Sequence, residues 1–496
     1  MYPYELYIEV RSPKYGPEWG SGGVFGLKYC NHILYYTLAF EAEAHFISPA
    51  SKLIYRFEHL GPGPASGGDT YNAVDCSDDF IYFGGWVHNP SIFKGKSGFE
   101  GEIDFRNKYS HVHSYDISRG VISLIWSESI HDEYKWAGEV SEIIYNPILG
   151  DLLLARADGH VNLGIYRLNP KSSKLDIISS IPGLKGSIFL DYACFDIQPD
   201  WVRGIDGVQC FDLSTLKQYK FMIEDWSKIS VDGGAVEYRG SGYAISAYTR
   251  YYHFIRGGVL VGNPLEPKLD GVWFIRLLDF GNTIYSQLSP QRSNAVIAGG
   301  GVLAPFNAYT HGVLHIDYSQ GIIRDINDTR GPSILVYITP PQARIVGVYG
   351  ARITSATKMG SKILLGYNTA PNLGGRDATP IDIGYKGILV VDEDTILNRS
   401  SPPVTFRFRG RIVGDSTFGG IPLTGYKNKS LIIKSYKSNT IEVYDYDSGL
   451  PPELLSVERY SIGEGKNIID LGGFVNIASF RLKNIDEDSL IYVSLS

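Results

Sequence analysis

The chain has 496 residues, 44% of them apolar and 20% charged, with a net charge of −7 and a pI near 5.9. Those are globular values, and the acidic balance opposes non-specific binding to nucleic acid, which needs a basic footprint. Gly at 56, Tyr at 35 and Phe at 22 suit an all-β protein with many turns.

The N-terminal "MYPYELYIEV" has neither a basic leader nor a long apolar core, so it does not read as a signal peptide. No later stretch is long and apolar enough to span a bilayer. A cytoplasmic protein without a membrane segment is expected. Cys30, Cys76, Cys194 and Cys210 form no C-x-x-C pair, which argues against a cysteine zinc site. Met is scarce at 3, as in proteins that avoid thermolabile residues at high temperature.

Residues 150–181, "GDLLLARADGHVNLGIYRLNPKSSKLDIISSI", read as strand, Asp-Gly turn, strand, Asn-Pro turn, strand. The pattern that ends the second of these strands recurs as "YDIS" from Tyr115, "FDLS" from Phe211, "LDFG" from Leu278, "IDYS" from Ile316, "VDED" from Val391 and "YDYD" from Tyr444. "YRLN" from Tyr166 is a variant and "FISP" from Phe46 a weak one. In each full copy an Asp follows an apolar residue, where its carboxylate can hold the turn through backbone N–H groups. Such spacing predicts a single β-propeller over residues 1–496, with seven or eight four-stranded blades. "YELYIEV" and "SLIYVSLS", near the two ends of the chain, are both strand-like. Their pairing within one blade is expected to close the ring.

With blade strands named A to D outward from the axis, the B–C and D–A connections share one rim. Aligning the ends of the B strands collects candidate ligand-binding residues in successive blades. "TLAFEAEAHF" supplies Glu41, Glu43 and His45; "YFGGWVHNP" supplies His88; "LARADGHV" supplies Asp158 and His160. "CFDIQPDW" supplies Asp196, "SAYTRYYHF" Arg250 and His253, and "PFNAYTHG" His311. Five of the eleven histidines therefore fall at equivalent places. A carboxylate beside an imidazole would raise its pKa. "HVH", His111 and His113, reads as an outer-face pair of a C strand.

No nucleophile elbow, phosphate loop or H-E-x-x-H motif occurs. No cofactor is required, although histidines meeting at the axis could hold a divalent metal. The expected function is a binding or scaffold propeller that presents its polar, aromatic rim to a protein or a small ligand. The alternative is a hydrolase or lyase, metal-dependent or not, acting on a carbohydrate-like substrate at the channel mouth.

"YGPEWGSGGVFGLKYCNHILYYTLAFEAEAHF" (residues 15–46) and "WAGEVSEIIYNPILGD" (residues 136–151) resemble an archaeal domain-of-unknown-function family of thermophilic crenarchaea. The resemblance implies an intracellular archaeal protein, agrees with a propeller, and carries over no catalytic residue.

Overall fold

The computed structural model describes residues 23–496 except 40, 64, 91–92, 95–101, 200–202, 282–287, 308–332 and 369–385. Among them, antiparallel strands dominate. Seven sheets follow one another along the chain, spanning residues 24–56, 66–128, 139–179, 186–222, 241–276, 296–349 and 352–392. They are called blades 1 to 7 below. Blades 1 and 3 to 6 are four-stranded meanders, and blade 7 has three described strands. In blade 2 the inner strand is split into Ser66–Gly68 and Val74–Cys76, which both pair with Phe80–His88.

Burial explains the run types in the sequence. The B strand Asp151–Ala157, "DLLLARA", is buried at every position because a neighbouring blade covers each face. The outer strand Lys52–Arg56 alternates between exposed and partly covered positions. Apolar clusters join each blade to the next. Phe46 of blade 1 meets Phe83 of blade 2 at 5.4 Å between ring centroids. Tyr82 of blade 2 stacks on Tyr145 of blade 3. A further cluster packs Met359, Leu364 and Ile388 of blade 7 against Val24, Leu34 and Tyr36 of blade 1. The fold is propeller-like.

After blade 7 the chain changes architecture. Eight strands from Val404–Arg409 to Leu490–Leu495 form two four-stranded sheets. One sheet takes the first, eighth, third and sixth strands in order, and the other the second, seventh, fourth and fifth. That is the strand order of a jelly-roll sandwich. Its core is continuous with that of blades 5 and 6, uniting Phe254, Phe306, Phe406 and Phe480 in one cluster.

Two expectations are corrected here. Strand Leu490–Leu495 is flanked on both edges, by Val404–Arg409 and by Lys429–Ser435. With both edges occupied it has none left for an N-terminal strand, so it does not close a blade. The "YDYD" copy lies in the sandwich strand Asn439–Tyr446, and "LDFG" follows the last strand of blade 5 instead of ending a C strand. Neither marks the end of a blade's third strand. The "IDYS" copy lies outside the described residues. The Asp role holds in blades 2 and 4. Asp212 accepts from the N–H groups of Ser214 and Thr215 at 2.9 and 2.8 Å, and Asp116 from that of Arg119 at 2.9 Å, whereas Asp445 of the "YDYD" copy accepts from the distant Asn476 N–H at 3.3 Å.

All four cysteines form disulfides. Cys30–Cys76 ties the inner strand of blade 1 to that of blade 2, and Cys194–Cys210 joins facing residues of blade 4. No helix among the described residues is long and apolar enough to cross a membrane.

Candidate functional site

The rim formed by the B–C and D–A connections carries four of the ten expected residues, Glu41, His88, Asp158 and His160. His88 is the last residue of Phe80–His88, and its Nε2 donates to the Asp104 carbonyl at 2.7 Å. Asp158 and His160 follow the strand Asp151–Ala157, and His160 meets Phe105 edge-on at 5.0 Å. Glu41 lies in the B–C turn of blade 1 and pairs with Lys386, the first residue of the C strand of blade 7.

Others lie elsewhere. Glu43 and His45 belong to the C strand Glu43–Ile47, where His45 Nε2 is 3.2 Å from Glu43 Oε2 and its ring stacks on Tyr36. Asp196 sits within Tyr192–Ile197 and accepts from the N–H groups of Leu184 and Lys185 at 2.7 and 2.9 Å. Arg250 begins the strand Arg250–Ile255, which puts it on the opposite rim, 3.5 Å from Asp270. His253 is mid-strand and fully buried between Ser241 Oγ at 2.7 Å and Tyr251 Oη at 2.9 Å. His311 lies outside the described residues. His111 and His113 are buried against Phe57 and Phe83 at the seam of blades 1 and 2, not on an outer face.

A polar centre forms around residues that the alignment missed. Between the two halves of blade 2's inner strand, residues 69–73 bulge away from Phe80–His88. Asp69 Oδ1 holds the bulge by accepting from Tyr71 N–H at 2.8 Å, and Asn72 takes a φ of +61°. The bulge delivers Tyr71 to partners on distant blades. Arg292, in the connection from blade 5 to blade 6, donates to Tyr71 Oη at 3.3 Å and to Asp158 Oδ2 at 2.6 Å. Lys185, at the start of blade 4, donates to the Tyr71 carbonyl at 2.7 Å and pairs with Glu142 of blade 3 at 2.7 Å. Thr70 donates to Glu139, the first residue of blade 3's inner strand. Side chains from blades 2 and 3 and from the segments leading into blades 4 and 6 thus meet in one polar network.

Beside this centre stands Lys108. Its ammonium lies 3.4 Å from the ring centroid of Trp136, 4.3 Å from that of Trp86 and 5.6 Å from that of Phe105. A short zip fixes Trp136: Gly138 N–H donates to the Val161 carbonyl, and Val161 N–H to that of Trp136. The zip leaves no room at Gly159, where a Cβ would stand 2.6 Å from Gly138 N.

Burial dominates the electrostatics. It pushes the Asp69 carboxyl up to about 7 and that of Asp196 up to about 6, against backbone N–H bonds that favour the charged forms. Burial and the neighbouring Asp158 raise Glu139 well above the carboxylate range. Burial brings Lys108 down to about 7, with Glu139 and Asp158 acting the other way. His88 falls to about 4 and His253 to about 3, and His160 is lowered too, burial being the main cause in each. The expected upward shift is therefore reversed at these three: desolvation outweighs any carboxylate. Among the described residues, no group of three or more His, Cys, Asp or Glu side chains is placed to hold a metal ion.

No curated protein matches the chain. Among solved structures it is similar to the N-terminal domain of Nup159, at 8% identity and a TM-score of 0.36 over 77% of this chain and 93% of that one. It is also similar to streptogramin B lyase (10%, 0.30, 57% and 90%) and to a calcium-binding protein, regucalcin, from Agrobacterium tumefaciens (12%, 0.32, 64% and 90%). Scores this low carry no argument about activity. Residues 34–376 match the family described as "Uncharacterized protein conserved in archaea (DUF2139)", as the resemblance implied, and the chain belongs to that family.

Proposed function

We propose that the protein is a seven-bladed propeller, its ring closed by packing of blade 7 on blade 1, that binds a small polar ligand at the centre of the B–C rim. One observation carries the reading: Arg292 reaches Tyr71 and Asp158 on two other blades, in a setting where buried polar atoms still lack protein partners. Asp69 Oδ2, in the residue that anchors the Tyr71 bulge, and Ser293 Oγ, next to Arg292, are buried without a hydrogen bond among the described residues, and such atoms call for water or a ligand. Of the residues expected from sequence, Asp158, His160 and His88 belong to this site. Glu41, Glu43, His45, Asp196 and His253 support it from beneath or beside.

The enzyme alternative draws on the carboxyl of Asp69, pushed up to about 7, which suits proton transfer near neutral pH. An intracellular location agrees with the paired cysteines, because intracellular proteins of hyperthermophilic archaea are disulfide-rich. Thermal-shift measurements on the full chain, with sets of small anionic and carbohydrate-like compounds, test the proposal. A ligand at this site raises the midpoint of the parent, and Tyr71→Phe, which keeps the ring and removes the hydroxyl, weakens the shift. A stoichiometric protein partner recovered by pull-down, with no small compound shifting the midpoint, would replace the small-ligand reading.

A further inference from the structure

The sandwich that follows blade 7 turns one of its two sheets to solvent. That sheet takes the strands Val404–Arg409, Leu490–Leu495, Lys429–Ser435 and Gly465–Asp470 in order. Alternation sends Phe408, Leu431 and Val493 inward to the common core. The register sorts the outward side chains into rows that run across the strands. One row reads Arg407, Tyr492, Ile432, Ile468, each residue directly opposite the next. Thr405, Ser494 and Ser430 form the row on one side of it, and Lys434 stands opposite Lys466 on the other. We propose that this face of the sandwich binds an acidic oligosaccharide through its uronate carboxylates and its sugar rings.

Stability alone does not account for this surface. Lys434 and Lys466 are both exposed, and like charges directly opposite on a sheet repel. Neither lysine, nor the exposed Arg407, makes an ion pair among the described residues. Ile468 is 64% exposed at the end of the apolar row, where a polar residue would serve the fold as well. Local rules broken without a compensating contact mark surfaces kept for binding.

The order of the rows selects the ligand. A uronate ring offers hydroxyls along one edge, an apolar C–H face and a carboxylate at another edge. The sheet offers the complement: hydroxyl groups, then Tyr492 with the two isoleucines, then the paired lysines. Thr405 Oγ1 and Ser494 Oγ lie 3.3 Å apart at the hydroxyl edge. Tyr492 joins a ring face to a hydroxyl, which suits a surface that is apolar and wet at once. Arg407, at the far end of the apolar row, can take a second carboxylate in bidentate fashion. Two strand spacings and two residues put its Cα about 12 Å from that of Lys434, which suits two carboxylates of one oligomer better than a lone sugar. Beyond the lysines Tyr436 is 50% exposed, with Lys434 Nζ 5.3 Å from its ring centroid, and extends the surface. Asp470, opposite Ser430, and the net charge of −7 oppose the long phosphate chain of a nucleic acid. A short uronate chain places its charge only where the cations stand.

The site is separate from the polar centre of the rim, and its test does not depend on that reading. The full chain is titrated at low salt, by calorimetry, with tetramers of galacturonate, of mannuronate and of alternating glucuronate and N-acetylglucosamine. The expected result is binding of at least one of them, weakened about tenfold when its carboxylates are methyl-esterified and about tenfold when Lys434→Gln and Lys466→Gln are combined. Ile468→Ser, on the exposed end of the apolar row, should also weaken it. These positions are exposed, so circular dichroism of the variants should match the parent. No binding of any of the three tetramers overturns the proposal, as does binding that the paired lysine variant leaves unchanged. A single-stranded oligothymidylate that binds more tightly than every tetramer, and loses that affinity in the same variant, also overturns it and makes the face a nucleic-acid site.

Discussion

Arg292, in the connection from blade 5 to blade 6, places Nη2 2.6 Å from Oδ2 of Asp158, which follows the B strand of blade 3, although 134 positions separate them. The arginine side chain is 6% exposed and its partner 24%. Losing the partner strands a largely buried guanidinium, and breaking such a pair costs more than the pair itself contributes. Asp158→Asn should lower stability by about 2 kcal/mol, and Arg292→Ala by about 2–4 kcal/mol because Tyr71 loses its donor as well. Chemical denaturation of the two single variants checks this; losses under about 0.5 kcal/mol for both would show that the rim is not held by the pair.

Glu41 and Lys386 form the corresponding contact between blades 1 and 7, with side chains 3% and 2% exposed. Lys386→Met alone should cost about 3–5 kcal/mol, since Glu41 would remain as an unpaired buried carboxylate. Replacing both, as Glu41→Leu with Lys386→Met, should recover most of that loss. A double-mutant cycle reads the coupling directly, and a coupling near zero would rule out the pair as a latch between the two blades.

Asp69 gives a pH dependence with a definite sign. Its folded pKa of about 7 lies above the ordinary 3.8, so the folded state holds a proton that the unfolded chain releases. The stability linked to that proton is complete below about pH 4 and is lost as pH rises through 7. Asp69→Asn does not titrate and keeps an acceptor for Tyr71 N–H. Its stability relative to the parent should therefore rise from pH 4 to pH 7 and level off above, by an amount on the order of 3–4 kcal/mol. A difference independent of pH would place this carboxyl in the ordinary range.

Buried neutral histidines act in the opposite sense. His111 and His253 sit at about 3 in the folded state against an ordinary 6.5, so only the unfolded chain takes up protons between those values. Stability from these groups is present above pH 6.5 and is lost as pH falls toward 3. Replacing His111 by Asn should flatten the acid limb of the stability profile, measured from pH 6.5 to 4. An unchanged slope would refute the assignment.

The two disulfides differ in reach, with 46 positions between Cys30 and Cys76 and 16 between Cys194 and Cys210. In the chain-entropy view the longer loop contributes about 4 kcal/mol and the shorter about 3 kcal/mol. Paired Cys→Ser variants should rank in that order in denaturant. The reverse order would point to packing at the blade 4 pair as the larger effect.

The architecture was legible to the extent that it is local. Strand length, turn residues and the Asp that ties its own turn are encoded within a few residues. Asp116, Asp212 and the variant Asn169 were therefore found where blades end their third strands. The same locality explains the overcount. The "YDYD" run carries the same apolar–Asp pattern in a jelly-roll sandwich, where Asp445 accepts from the distant Asn476 N–H and does not tie its own turn. The cysteine pairings were hidden for the opposite reason, since facing strands come together only through tertiary packing. So was the polar centre. The alignment found Asp158 and His160 because loop position repeats from blade to blade. It missed Lys108, Glu139, Tyr71 and Arg292 because they come from a strand start, an inner strand, a bulge and an inter-blade connection. Their meeting depends on how separate sheets pack against one another, and their protonation depends on how deeply that packing buries them.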